Sequence, residues 1–247
     1  MIYELVYCNE EEAGIAFSQD HIAIMPVGAV EVHGNHLPCS TDILISSNFV
    51  KKIADNLDMN VILLPPINYG QVWSLSDFPG SLNVSMPVLT QFIADIGRSL
   101  YRHGTRTFAI FGGHLGNAPA IKDASRILFQ ELGMKVFTFG NEGMESAFDV
   151  LTTPRSHKHY LHACEIETSM LLYLQPEHVD LKKAIVNYPT YPLEFDVTPS
   201  PWSTVTKTAV LGDPTAATVE KGKALIDASV KHISEILNNY WEKKNKK

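Results

Sequence analysis

Residues 31–42 read Glu31-Val32-His33-Gly34-Asn35-His36-Leu37-Pro38-Cys39-Ser40-Thr41-Asp42, placing two carboxylates and two imidazoles within one short stretch. Side chains of these types in such density suit a metal centre. Glu31 and His33 are two apart, so on extended backbone they point the same way and can reach one ion or two adjacent ones. Pro38 forces a turn, after which Asp42 lies at the start of a helix, where its carboxylate is free to bridge two cations. Taken singly, Asp42 reads equally well as a residue that favours a helix N-terminus, and His36 as an ordinary loop histidine. Taken jointly, Glu31, His33 and Asp42 make the metal reading the stronger one.

Two further clusters carry chemistry. Gly112-Gly113-His114-Leu115-Gly116-Asn117 follows an apolar run directly. Glycine turns before a helix often hold phosphate on backbone N–H groups. This one lacks the Gly-x-Gly-x-x-Gly spacing and a following Walker lysine, so His114 reads better as a metal ligand. The third cluster is His162-Ala163-Cys164-Glu165-Ile166-Glu167-Thr168-Ser169. At about 100° per residue, Ile166, Met170, Leu171 and Leu174 form an apolar stripe centred near Ala163. Glu167 falls inside that stripe, where a carboxylate needs a cation or a structural salt bridge. Glu165 falls on the opposite face and is expected in solvent. His162, at the helix start, can face the same cavity as general acid/base. His157 and His159 read as surface histidines, Trp73 as either a pocket-mouth or a packing residue, and Cys39 and Cys164 as small apolar fillers.

The elements that must position these residues alternate along the chain. Strands are predicted at Ile22–Val27, Val61–Leu64, Thr107–Phe111 and Lys135–Phe139, each nearly continuous in apolar character, as for strands covered on both faces. Helices are predicted at Asp42–Leu57, Met86–His103, Asn117–Gly133, Ala163–Leu174 and Thr215–Trp241. This order implies an α/β fold with a mostly parallel sheet and helices on both sides, and such sheets gather ligands at the carboxyl ends of their strands. The segments Leu75–Ser85 and Tyr188–Pro201 read as long loops, of a length that is usually functional. No repeat or linker divides residues 1–247, which are expected to form a single domain.

Bulk properties narrow the function. The three cysteines, Cys8, Cys39 and Cys164, form no Cys-x-x-Cys pair, and a reduced cytoplasmic setting is expected. No apolar run approaches the ~20 residues that span a bilayer, and the N-terminus lacks a signal-peptide layout, so no membrane partner is expected. A net charge of −7 without a basic stripe argues against nucleic acid as partner.

With the three clusters in order, the chain resembles the creatininase (creatinine amidohydrolase) family. Residues 31–42 match that family's Glu-x-His-Gly-x-His-Leu-Pro-x-x-Thr-Asp pattern. Gly112–Asn117 is similar to its Gly-Gly-His-Gly-Gly-Asn element, and His162–Ser169 to His-Ala-Gly-x-x-Glu-Thr-Ser. Phe78-Pro79-Gly80-Ser81 and the stretch from Gly212 to Gly222 also resemble family elements. The resemblance implies a three-layer αβα sandwich, a two-metal site holding Zn²⁺ or Mn²⁺, and hydrolysis of a non-peptide C–N amide bond in a small molecule by a homo-oligomer, often a hexamer. Carried over by position, Glu31, His33, Asp42 and His114 are the implied ligands, with Asp42 bridging. Creatininase has a glutamate ligand where this chain has Gly116, which makes Glu167 the expected replacement and leaves Glu165 as the alternative. Cys164 and Leu115 replace glycines, and no tryptophan that would cover creatinine stands near Pro154 or Lys158. A two-metal phosphoesterase and a non-catalytic metal-binding family member are the competing readings.

Overall fold

The computed structural model describes residues 1–246. Its sheet comprises β1 (Ile2–Glu4), β2 (His21–Val27), β3 (Asn60–Leu63), β4 (Thr107–Gly112) and β5 (Lys135–Phe139). The order across it is β1-β3-β2-β4-β5, and every neighbouring pair is parallel. The helices are α1 (Glu10–Ser18), α2 (Thr41–Ala54), α3 (Met86–Arg102), α4 (Ala118–Leu132), α5 (Glu165–Leu174) and α6 (Val219–Asn245).

Alternation along the strands builds two cores. Ile22, Ile24, Val61, Leu63 and Phe111 face one side and pack with Phe49 of α2, Met170 of α5 and Leu225 of α6. Ala23, Met25, Ile62, Phe108 and Ile110 face the other and pack with Ala16 of α1, Ile93 of α3 and Leu128 of α4. The result is three layers, helix–sheet–helix, as the resemblance implied. All seven residues of β2 are buried, which explains its unbroken apolar run.

Pro26 is an unusual occupant of a central strand, because it cannot donate to a ladder. Register with β3 ends at Ile24↔Leu63, while register with β4 continues through Pro26↔Phe111. The Pro26 carbonyl accepts from Ile67 N–H, so its missing donor faces the side where Pro65 and Pro66 already interrupt the neighbouring chain. The proline therefore stands where the ladder is already broken.

The two N-terminal elements were not anticipated. β1 is three residues long and lies at the sheet edge. α1 buries Ala16 alone, so it carries little periodicity, and its sequence mark is the capping box between Asn9 and Glu12. Predicted boundaries also move: α2 ends at Ala54 rather than Leu57, the last helix runs on to Asn245, and two helix starts shift for visible reasons. The last helix starts at Val219, with Thr218 as its cap, because Pro214–Ala216 forms a separate 3₁₀ turn. α5 starts at Glu165 because Ala163 has a left-handed φ of 48°.

Candidate metal centre

The chain runs from β2 to β3 on one side and then crosses to β4 on the other, so the carboxyl ends of β2 and β4 lie side by side. All three clusters meet there. Glu31 and His33 sit on the loop leaving β2, Asp42 in the first turn of α2, His114 on the turn after β4, and Glu167 in the first turn of α5. Three overlapping sets of donors are close enough to share an ion: Glu31, Asp42 and His114; His33, Asp42 and Glu167; and Glu31, His33 and His162.

Asp42 is central. Its Oδ1 lies 3.2 Å from His33 Nε2, and its Oδ2 lies 3.3 Å from His114 Nδ1. Glu31 Oε2 lies 3.3 Å from His114 Nδ1 and 3.6 Å from His162 Nδ1. Glu167 Oε2 stands 4.0 Å from His33 Nε2. As the third residue of α5, Glu167 also reaches back to accept from Ala163 N–H, a bond that the left-handed turn at Ala163 aims at it.

Backbone carbonyls set the tautomers. His33 Nδ1–H donates to the Glu31 carbonyl at 3.0 Å, His114 Nε2–H to that of Gln71 at 2.8 Å, and His162 Nε2–H to that of Val32 at 2.7 Å. A carbonyl can only accept, so in each neutral ring the unprotonated nitrogen faces the carboxylates. Lone pairs then confront lone pairs. Both oxygens of Glu31, Asp42 Oδ2 and His33 Nε2 are buried without a hydrogen-bond partner. Burial of this kind is tolerated when cations complete it. Three carboxylates and two imidazoles, with no thiolate, form a hard donor set that fits two divalent ions such as Zn²⁺ or Mn²⁺.

Without ions, protons must take their place. Burial pulls the His33 pKa down, but Asp42, Glu167 and Glu31 outweigh it and hold the ring at about 10. Burial likewise opposes His114, and Glu31 and Asp42 keep it well above the ordinary value. Burial raises Glu167 to about 7 despite His33. Burial and then the charge on His33 lower His162 to about 4.

The clusters differ from expectation at several points. Glu165 is not in solvent but buried, because α6 and the Thr152–Thr153 turn cover that face of α5. It pairs with Lys221 and accepts from Thr152 and Thr153, and although burial opposes ionisation these partners bring its pKa to about 2. The structural ion pair considered for Glu167 therefore belongs to Glu165, which takes no part in the donor sets. His36 is no ordinary loop histidine: it is buried and bonded to the Thr168 hydroxyl at 3.0 Å, outside the donor sets. His157 is half-buried, pairs with Asp196 at 3.1 Å and stacks on Tyr160. Cys164 is buried at the α5 N-cap, as a small filler would be.

The turn after β4 is poorly free for phosphate. Gly113 N–H continues the ladder to Val27, Asn117 N–H bonds the His114 carbonyl, and Pro119 has no N–H.

A cavity of about 1050 Å³ opens over the centre, lined among others by Glu31, His114, His162, Glu167, Trp73 and Trp202. Trp73 is thus a mouth residue. Trp202, unmarked in the sequence, sets its ring edge-on to His162 at 5.4 Å, while His162 lies 4.2 Å from the His33 ring. Its only signal was its place at the end of a long Pro-rich loop.

The creatinine amidohydrolase family profile matches residues 7–237. The chain belongs to the creatininase family. This creatininase-family chain is 27% identical over 245 residues to the creatinine amidohydrolase of Pseudomonas putida, covering 93% of each. It is also 27% identical over 232 residues to the mycofactocin precursor peptide peptidase of Mycolicibacterium smegmatis, covering 91% of this chain and 87% of that one. Its fold matches creatininase with Mn at a TM-score of 0.85 and 24% identity, covering 97% of this chain and 99% of that one. A Zn–Zn form of a creatininase variant matches at 0.84 and 24%, covering 96% and 97%.

Two predictions test the centre. In the metal-free protein, His33 is raised from 6.5 to about 10 and Glu167 from 4.5 to about 7. Both bind protons more tightly folded than unfolded, so the stability they contribute is full at low pH and is lost as pH climbs through these values. Ions that replace the protons remove that loss. The rise in melting temperature on adding Mn²⁺ should therefore grow between about pH 6 and 8.5; a rise that shrinks over this range would contradict the assignment. Second, Lys221→Met leaves Glu165 buried without its cation and should cost about 3 kcal/mol in denaturant unfolding while metal stoichiometry is unchanged. Glu167→Gln should do the reverse, lowering metal content without destabilising the apoprotein.

Proposed function

We propose that this chain is a cytoplasmic, dinuclear-metal amidohydrolase that cleaves a C–N amide bond, cyclic or open-chain, of a small molecule within a single catalytic domain. The observation that carries this reading is Asp42, whose two oxygens face imidazoles of two different donor sets. Glu31, Asp42 and His114 would hold one ion; His33, Asp42 and Glu167 would hold the other. Three carboxylate charges against two divalent cations leave a modest net positive charge, suited to an electron-rich carbonyl. Ions bound there supply Lewis acidity, lowering the pKa of water and polarising a carbonyl oxygen.

The chain's own groups do the rest. His162 Nδ1 faces the centre with its lone pair free, since Nε2–H is committed to Val32. It is placed to take a proton from the attacking water and return it to the leaving nitrogen. Trp202 and His33 pin its ring from two sides and keep bulk water from it. Relatives named for creatinine and for a peptide precursor support amide hydrolysis as the common chemistry and leave the substrate open.

Asp42→Ala should strip both ions and abolish amide hydrolysis. His162→Asn should keep two ions per chain and lower kcat by about 10²–10⁴. Metal analysis beside turnover of a panel of cyclic and acyclic amides checks both, and an Asp42→Ala protein that retains two ions would sink the proposal.

A homo-oligomer, hexameric in the creatininase manner, is part of the same reading. Val88 and Phe92 on α3 and Phe129 on α4 are 60%, 54% and 64% exposed, large apolar side chains that a neighbouring copy would cover. Sedimentation should give a multiple of the 27.4 kDa chain mass, and a monomer would refute it.

A further inference from the structure

Asn117 closes the motif after β4, yet its side chain neither joins a donor set nor caps α4. It is fully buried and reaches sideways. Its Oδ1 accepts from Gln71 N–H at 2.8 Å, and its Nδ2–H donates to the Gly28 carbonyl at 2.9 Å. One amide thus ties together the segments that follow β2, β3 and β4.

Gln71 is the residue whose carbonyl accepts from His114 Nε2–H. The peptide carrying that carbonyl is held at its other end as well, where Val72 N–H donates to Asn83 Oδ1 at 2.9 Å. A continuous chain therefore runs from Asn83 through the Gln71–Val72 peptide to the His114 ring, with Asn117 fixing the peptide before it. Hydrogen bonds in such chains polarise one another. Both joints are glycine. A Cβ on Gly70 would lie 2.4 Å from Asn117 Oδ1, and a Cβ on Gly116 would lie 2.4 Å from both the Gln71 carbonyl and His114 Nε2. Gly116, where creatininase carries an acid, is here the clearance through which Gln71 reaches His114.

We propose that Asn117, acting through Gln71, is a positioning residue that fixes the ring orientation and tautomer of His114 and so sets the affinity of the Glu31–Asp42–His114 half of the centre. This rests on the metal centre proposed above. Partners of this kind behind a ligand typically change metal affinity by about 10–100-fold.

Competition with a chromophoric chelator for Zn²⁺ resolves the two dissociation constants. Asn117→Ala should weaken one by about 10–100-fold and move the other by less than about 3-fold. Gly70→Ala, which crowds the same amide from the opposite side, should do likewise. Leu128→Ala, buried on the far side of α4, is the control for general destabilisation and should move neither constant. Two constants unchanged in Asn117→Ala, or two that rise together there and in Leu128→Ala alike, would overturn the relay alone. An unmodified chain that binds no divalent ion would overturn the centre and the relay with it. In the unmodified protein, ¹⁵N signals of the Gln71 amide and the Asn117 side chain should shift at the same metal concentration as the His114 ring; two signals that stay still overturn the proposal whether or not the variants fold.

Discussion

Three buried carboxylates converge at the carboxyl ends of β2 and β4, and their mutual repulsion is the constraint that the rest of the site answers. Negative charge withdrawn from water costs several kcal/mol per ion unless it is compensated. Among the described residues, no lysine or arginine pairs with Glu31, Asp42 or Glu167. The lysine that comes nearest in role, Lys221, is bound to Glu165. Compensation is left to protons on His33 and His114 or to cations, and the carbonyl-locked tautomers favour cations. An ion needs lone pairs directed at it, and that is what the Gln71, Glu31 and Val32 carbonyls arrange.

The topology explains why so few residues suffice. No single loop carries a complete donor set; each borrows from segments separated by 70 residues or more in sequence but adjacent in the fold. The crossing from β3 over β2 to β4 brings Asp42 and His114 together, and α5 packs on the same face to bring Glu167. Assembly of the site therefore depends on the long-range parallel pairings, the slow part of folding in sheets of this kind. Once those pairings form, Asp42 and Glu167 stand on helix first turns and Glu31, His33 and His114 on short segments just past the strand ends, so the ordering cost is met by the fold before any ion arrives.

Side-chain chemistry was legible in the sequence where it was local or periodic. Glu31, His33 and Asp42 share one short run, and Glu167 stood out because a carboxylate interrupted an apolar stripe. Glu165 was misread for an instructive reason: periodicity describes which face of a helix a residue occupies, not what covers that face, and Lys221 arrives from 56 residues away. His36 was underread similarly, since its partner Thr168 is 132 residues distant. Strand β1 and helix α1 escaped because a three-residue edge strand and a helix burying one alanine leave almost no pattern. Least legible were contacts made by backbone, such as Gln71 to His114, which no residue type announces.

The centre and its walls are built differently, and this bears on substrate choice. Asp42 and Glu167 come from helix first turns, and Glu31, His33 and His114 from the short segments that leave the strand ends, whereas Tyr160, Phe195 and Trp202 come from the irregular stretches on either side of α5, which hold only 3₁₀ turns between β5 and α6 apart from that helix. Such stretches tolerate insertion and substitution far better than strand ends do, because few ladder bonds constrain them. A fixed two-ion geometry beneath an adaptable aromatic wall can keep the reaction while changing the molecule it acts on. The wall also touches the chemistry, since Trp202 packs against His162. A change of substrate made through Trp202 would therefore alter proton transfer as well as fit, whereas one made through Phe195, which meets Tyr160 edge-on and Tyr191 at a tilt rather than His162, would leave the proton path in place.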